Sequence, residues 1–373
     1  MSWRLVAILA GLLAVVFAVR SLAGVAVILL VLGAGAARLP PALLARVTLD
    51  RSGPARLFHG ESGQVQLTVT NRGRGPIFWL AITELIPFDL AIHPLRWITT
   101  LRAGESRAIS YSITGRRRGV FRLGPATLVS SDPLGLRPAQ RPLADGPTVI
   151  VYPRIVPIER LGLPATAPFP DLRAHLPLYE DPNRIIGVRP YATTDSGRRI
   201  HWTASAHHGS LLVTRLQPGI GRETVVLLDL SREGMGTRAR HVETAVTVAA
   251  SVLFHVVTRE RLAAGLRYRD ISLAPSSEHA HLMAMLEILA IASVHELSTE
   301  ELIEPVGLSF GASVVLVTRR FGADVQFRLY SLLRRGWRPC VIQVGDDPVP
   351  EIPGIPVWPV VSDRELAEAL GGG

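Results

Sequence analysis

Two charge-free apolar runs, residues 5–19 and 22–37, are separated only by Arg20 and Ser21, and they limit the fold more than any other feature of the chain. At 1.5 Å per residue each run spans roughly 22–24 Å as a helix, short of a ~30 Å hydrocarbon core. As two short helices they form a hairpin with Arg20 at its tip, where the guanidinium snorkels to water. As one tilted helix they bury Arg20 near the bilayer midplane, at high cost. As a cleavable signal peptide they use residues 1–4 as a short basic leader, yet the second run would stay behind as an anchor. A transmembrane hairpin over residues 1–40 is the expectation, with both ends on one side. Arg4 flanks its start and Arg38, Arg46, Arg51 and Arg56 its exit, so the positive-inside rule puts the body in the cytoplasm.

With 373 residues, 48% hydrophobic and 19% charged, the remainder is too apolar to be disordered and too long for one ordinary domain. A single cysteine excludes a disulfide framework, a four-cysteine zinc site and a CxxC redox pair. All 40 basic residues are arginine, which excludes lysine Schiff-base chemistry and a Walker lysine. Net charge is +3 over residues 1–50, +7 over 51–150 and +4 over 151–222, then −5 over 223–373. Nucleic acid is one partner for such a basic front half. Directly after an apolar hairpin, anionic headgroups on the inner leaflet are the partner expected instead. The run Arg116-Arg117-Arg118 reads the same way, as a solvated turn facing lipid.

From residue 46 the hydrophobic period becomes two. Gln64-Val65-Gln66-Leu67-Thr68-Val69-Thr70 alternates, Gly and Pro break the chain near residues 73–76, and strand patterns resume at 77–85, 106–114 and 120–129. Strands at this spacing predict an all-β immunoglobulin-like sandwich over 41–150. A linker and a motif-dense segment follow over 151–222. Over 223–373 strands alternate with helices: strands at 224–228, 266–273, 313–318 and 339–344, and helices at 237–258, 277–293, 323–335 and 362–370. That alternation predicts a doubly wound α/β sheet. Asp229 follows its first strand, where such sheets place a ligand.

The densest motif text is Arg189-x-Tyr191, then Asp195-x-x-Arg198-x-Ile200-His201-Trp202, an alanine-rich turn, and a strand ending in Arg215. With Arg118-Gly119-Val120-Phe121-Arg122-Leu123-Gly124-Pro125 and Asp132-Pro133-Leu134-Gly135-Leu136, it resembles the family-58 domains of unknown function, and the resemblance extends over nearly the whole chain. Thr194 stands where the family has glycine, and His207 where it has arginine. The resemblance implies a bacterial membrane-anchored protein whose C-terminal part is von Willebrand A-like. It also implies companions: a MoxR-type AAA+ ATPase, often with a transglutaminase-like membrane protein, in envelope assembly or maturation. With no Walker motif here, any ATP would be hydrolysed by the partner.

As chemistry, the signature admits His201 as a general base oriented by Asp195, with Ser205 or Ser210 as nucleophile, which would make the chain a membrane-bound hydrolase. With no nucleophile elbow in the sequence, a structural knot is expected instead, in which Arg198 pairs with Asp195 and the Trp202 ring packs beneath. A von Willebrand A domain opens a D-x-S-x-S magnesium motif at the position of Asp229. Here Asp229 and Ser231 match, Glu233 replaces the second serine, and Thr318 followed by Arg319 stands where a metal-binding member offers an aspartate. The expectation is no cofactor, with magnesium as the exception to test, and a former metal site serving as a docking face. A divalent-ion-dependent adhesion module outside the cell is the remaining alternative. The His207–His208 and His279–His281 pairs fall short of the three or four converging ligands that zinc requires. Cys340 sits in an apolar strand with no adjacent base. A non-enzymatic, membrane-anchored interaction protein is the function expected.

Overall fold

The structure is a computed structural model that describes residues 7–9, 11–13, 20–91, 94–132, 137–161, 180–192, 197, 200–218, 223–235, 239–303 and 311–360. The chain divides into two compact units, Met1–Pro153 and Arg154–Gly373.

In the first unit the second apolar run forms α1 (Arg20–Leu44), which continues through Pro40 and Pro41. The window Gly24–Leu44 is long and apolar enough to cross a membrane and is only 20% buried. A Cβ placed on Gly11 would lie 3.7 Å from Ala26 Cβ. In one continuous helix those residues would be ~22 Å apart, so the described residues of the first run, 7–9 and 11–13, do not continue α1 in a line but return beside it at Gly11.

Ten strands follow: β1 (Val47–Ser52), β2 (Arg56–Leu57), β3 (Ser62–Asn71), β4 (Ile77–Glu84), β5 (Leu95–Leu101), β6 (Ser106–Thr114), β7 (Gly119–Arg122), β8 (Ala126–Ser131), β9 (Pro138–Leu143) and β10 (Thr148–Val151). They form sheets β1-β3-β6, β5-β4-β8-β9 and β2-β10-β7. The expected alternation holds in β3, where Val65, Leu67 and Val69 are fully buried and join Leu80, Ile82, Ile113 and Leu128 in one core. The strand expected at 120–129 is instead two, β7 and β8, in different sheets. The break falls at Gly124-Pro125, where Gly124 has φ 90° and proline brings no N–H to a ladder. Glu84, fully buried, is paired by the Arg51 guanidinium through two bonds of 2.8 and 3.2 Å, linking β1 to β4 across the core. Such a bidentate pair keeps both charges satisfied inside an apolar layer.

The second unit begins with a short 3-10 turn, then β11 (Glu180–Pro190), α2 (Trp202–His208) and β12 (Leu212–Pro218), with β11 and β12 pairing antiparallel. The α/β part comprises β13 (Thr224–Leu228), α3 (Ala239–Thr258), β14 (Ala264–Tyr268), β15 (Ile271–Ser276), α4 (His279–Ile291), α5 (Thr299–Leu302), β16 (Ser313–Thr318), α6 (Ala323–Arg334), β17 (Arg338–Val344) and β18 (Val357–Val360). The single strand expected at 266–273 is a hairpin, β14 turning at Arg269-Asp270 into antiparallel β15. The sheet order is β15-β14-β13-β16-β17-β18, with all but the β15 edge parallel. Numbered from β13, that is 3-2-1-4-5-6, the doubly wound order whose switch point lies between the first and fourth strands. The run Thr224–Leu228 is buried throughout, as a strand covered on both faces must be. Helix α3 is also long and apolar enough to cross a membrane, but 78% of it is buried, with Ala245, Val248, Ala249, Val252 and Leu253 in the core. The terminal helix expected at 362–370 lies outside the described residues.

Candidate functional site

The switch point between β13 and β16 gathers one acid and a set of hydroxyls. Asp229 leaves β13 with its backbone N–H donating to Val317 O at 3.0 Å, and its carboxylate is fully buried. Oδ1 accepts from Ser231 N–H at 2.9 Å. Oδ2 accepts from the hydroxyls of Thr299 (2.8 Å) and Thr318 (2.7 Å). Ser231 Oγ accepts from Gly234 N–H at 2.9 Å and lies 3.2 Å from Thr299 Oγ1. The turn folds so tightly over the acid that a Cβ on Gly234 would sit 2.0 Å from Oδ2, so only glycine fits there. Asp229, Ser231 and Thr318 are thus the knot itself and are at most 1% exposed; Glu233 is on the surface.

Thr299 is the member that the sequence reading missed. It begins α5 directly after Ser298, whose side chain accepts from Glu301 N–H, so Ser298-x-x-Glu301 announces a helix start. Nothing local ties that start to an acid 70 residues earlier.

A divalent ion does not fit this arrangement. Magnesium requires near-octahedral oxygen ligands, with anionic groups among them. Here the buried acid already takes three donors, and the Gly234 backbone closes over the oxygen that the two threonines share. Among the described residues no three His, Cys, Asp or Glu side chains converge as metal ligands. Beside the knot is a cavity of about 230 Å³ whose lining mixes Glu233, Glu300 and Asp324 with Arg320 and Phe321. The Arg320 guanidinium also bonds Asp347 at 2.9 Å, and Arg319 approaches the same carboxylate at 2.7 Å. The bond from Arg320 is the main reason that Asp347 stays below the usual carboxylate range. His295 backs the knot from the loop before α5. Its backbone pairs with Ser231, and its ring packs on Tyr268 at 5.5 Å. Burial holds the imidazole below its ordinary pKa, against the pull of Asp229.

The signature segment is a different object. His201 caps α2: its ring Nδ1 accepts from Ala204 N–H at 3.2 Å, while its backbone N–H donates to Leu212 O at 2.9 Å. Ser205 is buried and its hydroxyl bonds the main chain, donating to His201 O at 3.0 Å and accepting from Leu212 N–H at 2.9 Å. These bonds fasten α2 to β12 and commit the serine hydroxyl to the main chain. Gly209 closes the helix in the left-handed region at φ 65°. The Trp202 ring does not pack beneath a knot as expected. It is 69% exposed, and Ser205 is the buried residue of this short helix. Tyr191 and Leu211 are also exposed and are paired with each other through the main chain, Tyr191 N–H donating to Leu211 O. Arg189 bonds Pro190 O at 3.3 Å. Asp195, Arg198 and the side chain of Arg215 lie outside what the structure describes.

Cys340 is fully buried in β17, and burial pushes its thiol well above the ordinary range, which leaves it protonated and inert.

Residues 187–309 match the family described as "Protein of unknown function DUF58". The match starts in β11 and ends after α5, so it holds Asp229, Ser231 and Thr299 but not Thr318, and the motifs at 118–136 lie outside it. Among solved structures, a CARDB domain from Pyrococcus furiosus is 18% identical, covering 28% of this chain and 91% of that one at a TM-score of 0.22. A PKD domain of an M14-like peptidase from a Thermoplasmatales archaeon is 16% identical over 28% of this chain and 91% of its own, at 0.20. No curated protein matches the chain.

Proposed function

The chain carries a DUF58-family segment at residues 187–309, and from that premise we propose that it is a membrane-anchored interaction protein without catalysis of its own. The observation that carries this reading is the contrast within the signature segment. Its polar residues His201 and Ser205 are tied to main chain, while its large apolar side chains, Trp202, Tyr191 and Leu211, face solvent. Exposed aromatic residues beside a main-chain-bonded segment are the kind of anchor that protein partners bury.

The apolar helix α1, with the first run returning beside it, is the anchor in this reading, two spans with the body on the cytoplasmic side of the cell membrane. The C-terminal sheet is read as von Willebrand A-like on its 3-2-1-4-5-6 order and on Asp229 and Ser231 at the switch point. The partner proposed is a MoxR-type AAA+ ATPase, with a transglutaminase-like membrane protein as a further companion, in envelope protein assembly or maturation. A partner reaching the switch point would touch Glu233 and the cavity rim, since Asp229, Ser231 and Thr318 are covered.

The test is a pull-down of the full chain, solubilised from cells at native level, with and without ATP and magnesium, with partners identified by mass spectrometry. Recovery of an AAA+ ATPase that depends on nucleotide, and that falls at least tenfold in the Tyr191→Ala/Trp202→Ala variant, is expected; a tenfold loss corresponds to about 1.4 kcal/mol. Recovery of no such ATPase overturns the partner, and recovery unchanged by the variant overturns the hairpin as the docking element.

A further inference from the structure

The sandwich has two arginine-rich poles, and only one lies where α1 joins it. α1 runs into β1 with no linker: Leu44, its last residue, is buried in the sandwich core. The Arg141 guanidinium donates to Leu44 O at 2.6 Å and to Val47 O at 3.0 Å. The helix direction is therefore locked to the sandwich.

Around that junction one buried asparagine gathers two turns, and the residue after it ties them to the end of α1. Asn71 Nδ2 donates to Gly75 O (2.9 Å), Arg102 O (3.0 Å) and Leu101 O (3.4 Å), and its Oδ1 accepts from Gly73 N–H (2.9 Å). Arg72 N–H donates to Arg46 O at 3.0 Å. The result sets Arg46, Arg72, Arg74 and Arg102 on one rim, all exposed, and among the described residues none of the four forms an ion pair. The next strand from this rim, β4, begins with buried Ile77 and then carries Phe78, 66% exposed, and Trp79, 36% exposed.

The run Arg116-Arg117-Arg118 stands at the other end. Strand β3 starts at Ser62, opposite Thr114, and finishes at Asn71, next to the pairing of Thr70 with Ser106. Gly60 N–H donates to Gly115 O, which ties the 116–118 turn to the start of β3. Nine strand steps separate the two poles by ~30 Å.

We propose that the rim of Arg46, Arg72, Arg74 and Arg102, with Phe78 and Trp79 beside it, is a lipid-contact surface that lies on an anionic leaflet. The 116–118 turn is held clear of the membrane. This rests on the reading of α1 as the anchor. Arg38 is the first charge after the apolar run, and from there to Leu44 the helix rises ~9 Å, which keeps the rim within about one Debye length of the headgroups. The far pole lies several Debye lengths further out. Exposed guanidinium groups meet phosphate with multiple donors, and Trp beside Phe suits the interfacial layer.

The test uses the full chain with Cys340→Ser as background, reconstituted in vesicles of phosphatidylcholine with and without phosphatidylglycerol. Nitroxide labels are placed singly in Arg74→Cys, Arg117→Cys and Leu30→Cys. Relaxation by a nickel-chelating headgroup lipid reports contact with the leaflet, and relaxation by oxygen reports immersion. The expected result is headgroup contact at position 74, reduced severalfold when the anionic lipid is left out, with none at 117 and with position 30 immersed. Position 30 immersed while 74 gives no contact, or 117 gives as much, overturns this assignment and leaves the anchor standing. Position 30 outside the bilayer overturns the anchor and this assignment together. Contact at 74 that ignores lipid charge overturns the role of the arginines.

Discussion

The signature hairpin and the switch point are the two stretches whose residue types look most chemical, and they use those residues in opposite ways. In the hairpin the serine and histidine serve the main chain of α2 and β12, and the aromatic residues are turned out to water. At the switch point the polar groups are turned in, so that one buried acid is surrounded by an amide and two threonine hydroxyls. The sandwich offers a third arrangement, in which buried Glu84 is neutralised by Arg51. A buried charge thus has two solutions in one chain, an opposite charge or a shell of neutral donors. Neither leaves a group free to react. The difference teaches that a dense polar motif is not a reactive site until its donors and acceptors have been followed to their partners.

If that contrast is right, the switch point should be far less tolerant than the hairpin. Asp229→Ala removes the acceptor of Ser231 N–H and the shorter bond of each threonine hydroxyl, leaving Thr299 only Ser231 Oγ and Thr318 only Arg320 O, each at 3.2 Å, an expected loss of about 2–4 kcal/mol. Hydrogen exchange of the β13 and β16 amides in the detergent-solubilised full chain reads the loss where it arises. Gly234→Ala attacks the same knot by crowding, since its Cβ would sit within van der Waals distance of the carboxylate. A backbone shift costing about 1–3 kcal/mol is expected. Protection in β13 and β16 that stays at the wild-type level in both variants would collapse the distinction.

Ser205→Ala is the matching change in the hairpin. It removes the acceptor for Leu212 N–H and the donor to His201 O, with an expected cost of about 1–2 kcal/mol confined to α2 and β12. The same exchange experiment should show amides 202–208 and 212–218 opening while β13 stays protected. Opening of both regions would mean that the two sites are one cooperative unit and not a contrast.

What was legible in the sequence follows from locality. The period-two alternation of β3 and the apolar run of β13 are decided by neighbours one or two residues away, and both elements form where the pattern puts them. Asp229 was legible because a residue just past a buried parallel strand has a fixed address in this kind of sheet. Thr299 was not, because the contact it makes closes a 70-residue separation that no spacing rule covers. The β14–β15 turn was hidden for a different reason. Arg269 adopts φ 53° there, without the glycine or asparagine that normally marks such a turn. The direction of Trp202 was also beyond pattern reading. Whether an aromatic ring after a polar motif packs inward or outward is decided by what the rest of the fold brings to it, and the helix it starts has an unusual cap, a histidine ring accepting from the N3 amide.

The smallest expected effect separates the two regions by pH. Burial lowers the His295 pKa more than Asp229 and Glu296 raise it, and Arg269 pushes the same way as burial. The folded protein therefore binds a proton at His295 less readily than the unfolded chain, whose histidines titrate near 6.5. Between those two values the unfolded state holds more protons, so stability rises with pH. Put as a sign, the contribution is fully present above about pH 6.5 and is lost as pH falls from there towards the folded-state pKa. The upper part of that window lies above the ordinary carboxylate range, so Asp347, also held low, does not add to the slope until pH is lower still. Melting of the full chain at about pH 7.5 and about pH 5.5 should therefore show an acid loss that His295→Gln reduces. Hydrogen exchange at the two pH values should place that loss in the amides of β13 and β16, at whose ends Asp229 and Thr318 sit. An acid loss unchanged in His295→Gln, or one that opens α2 and β12 first, would place the pH response outside the switch point.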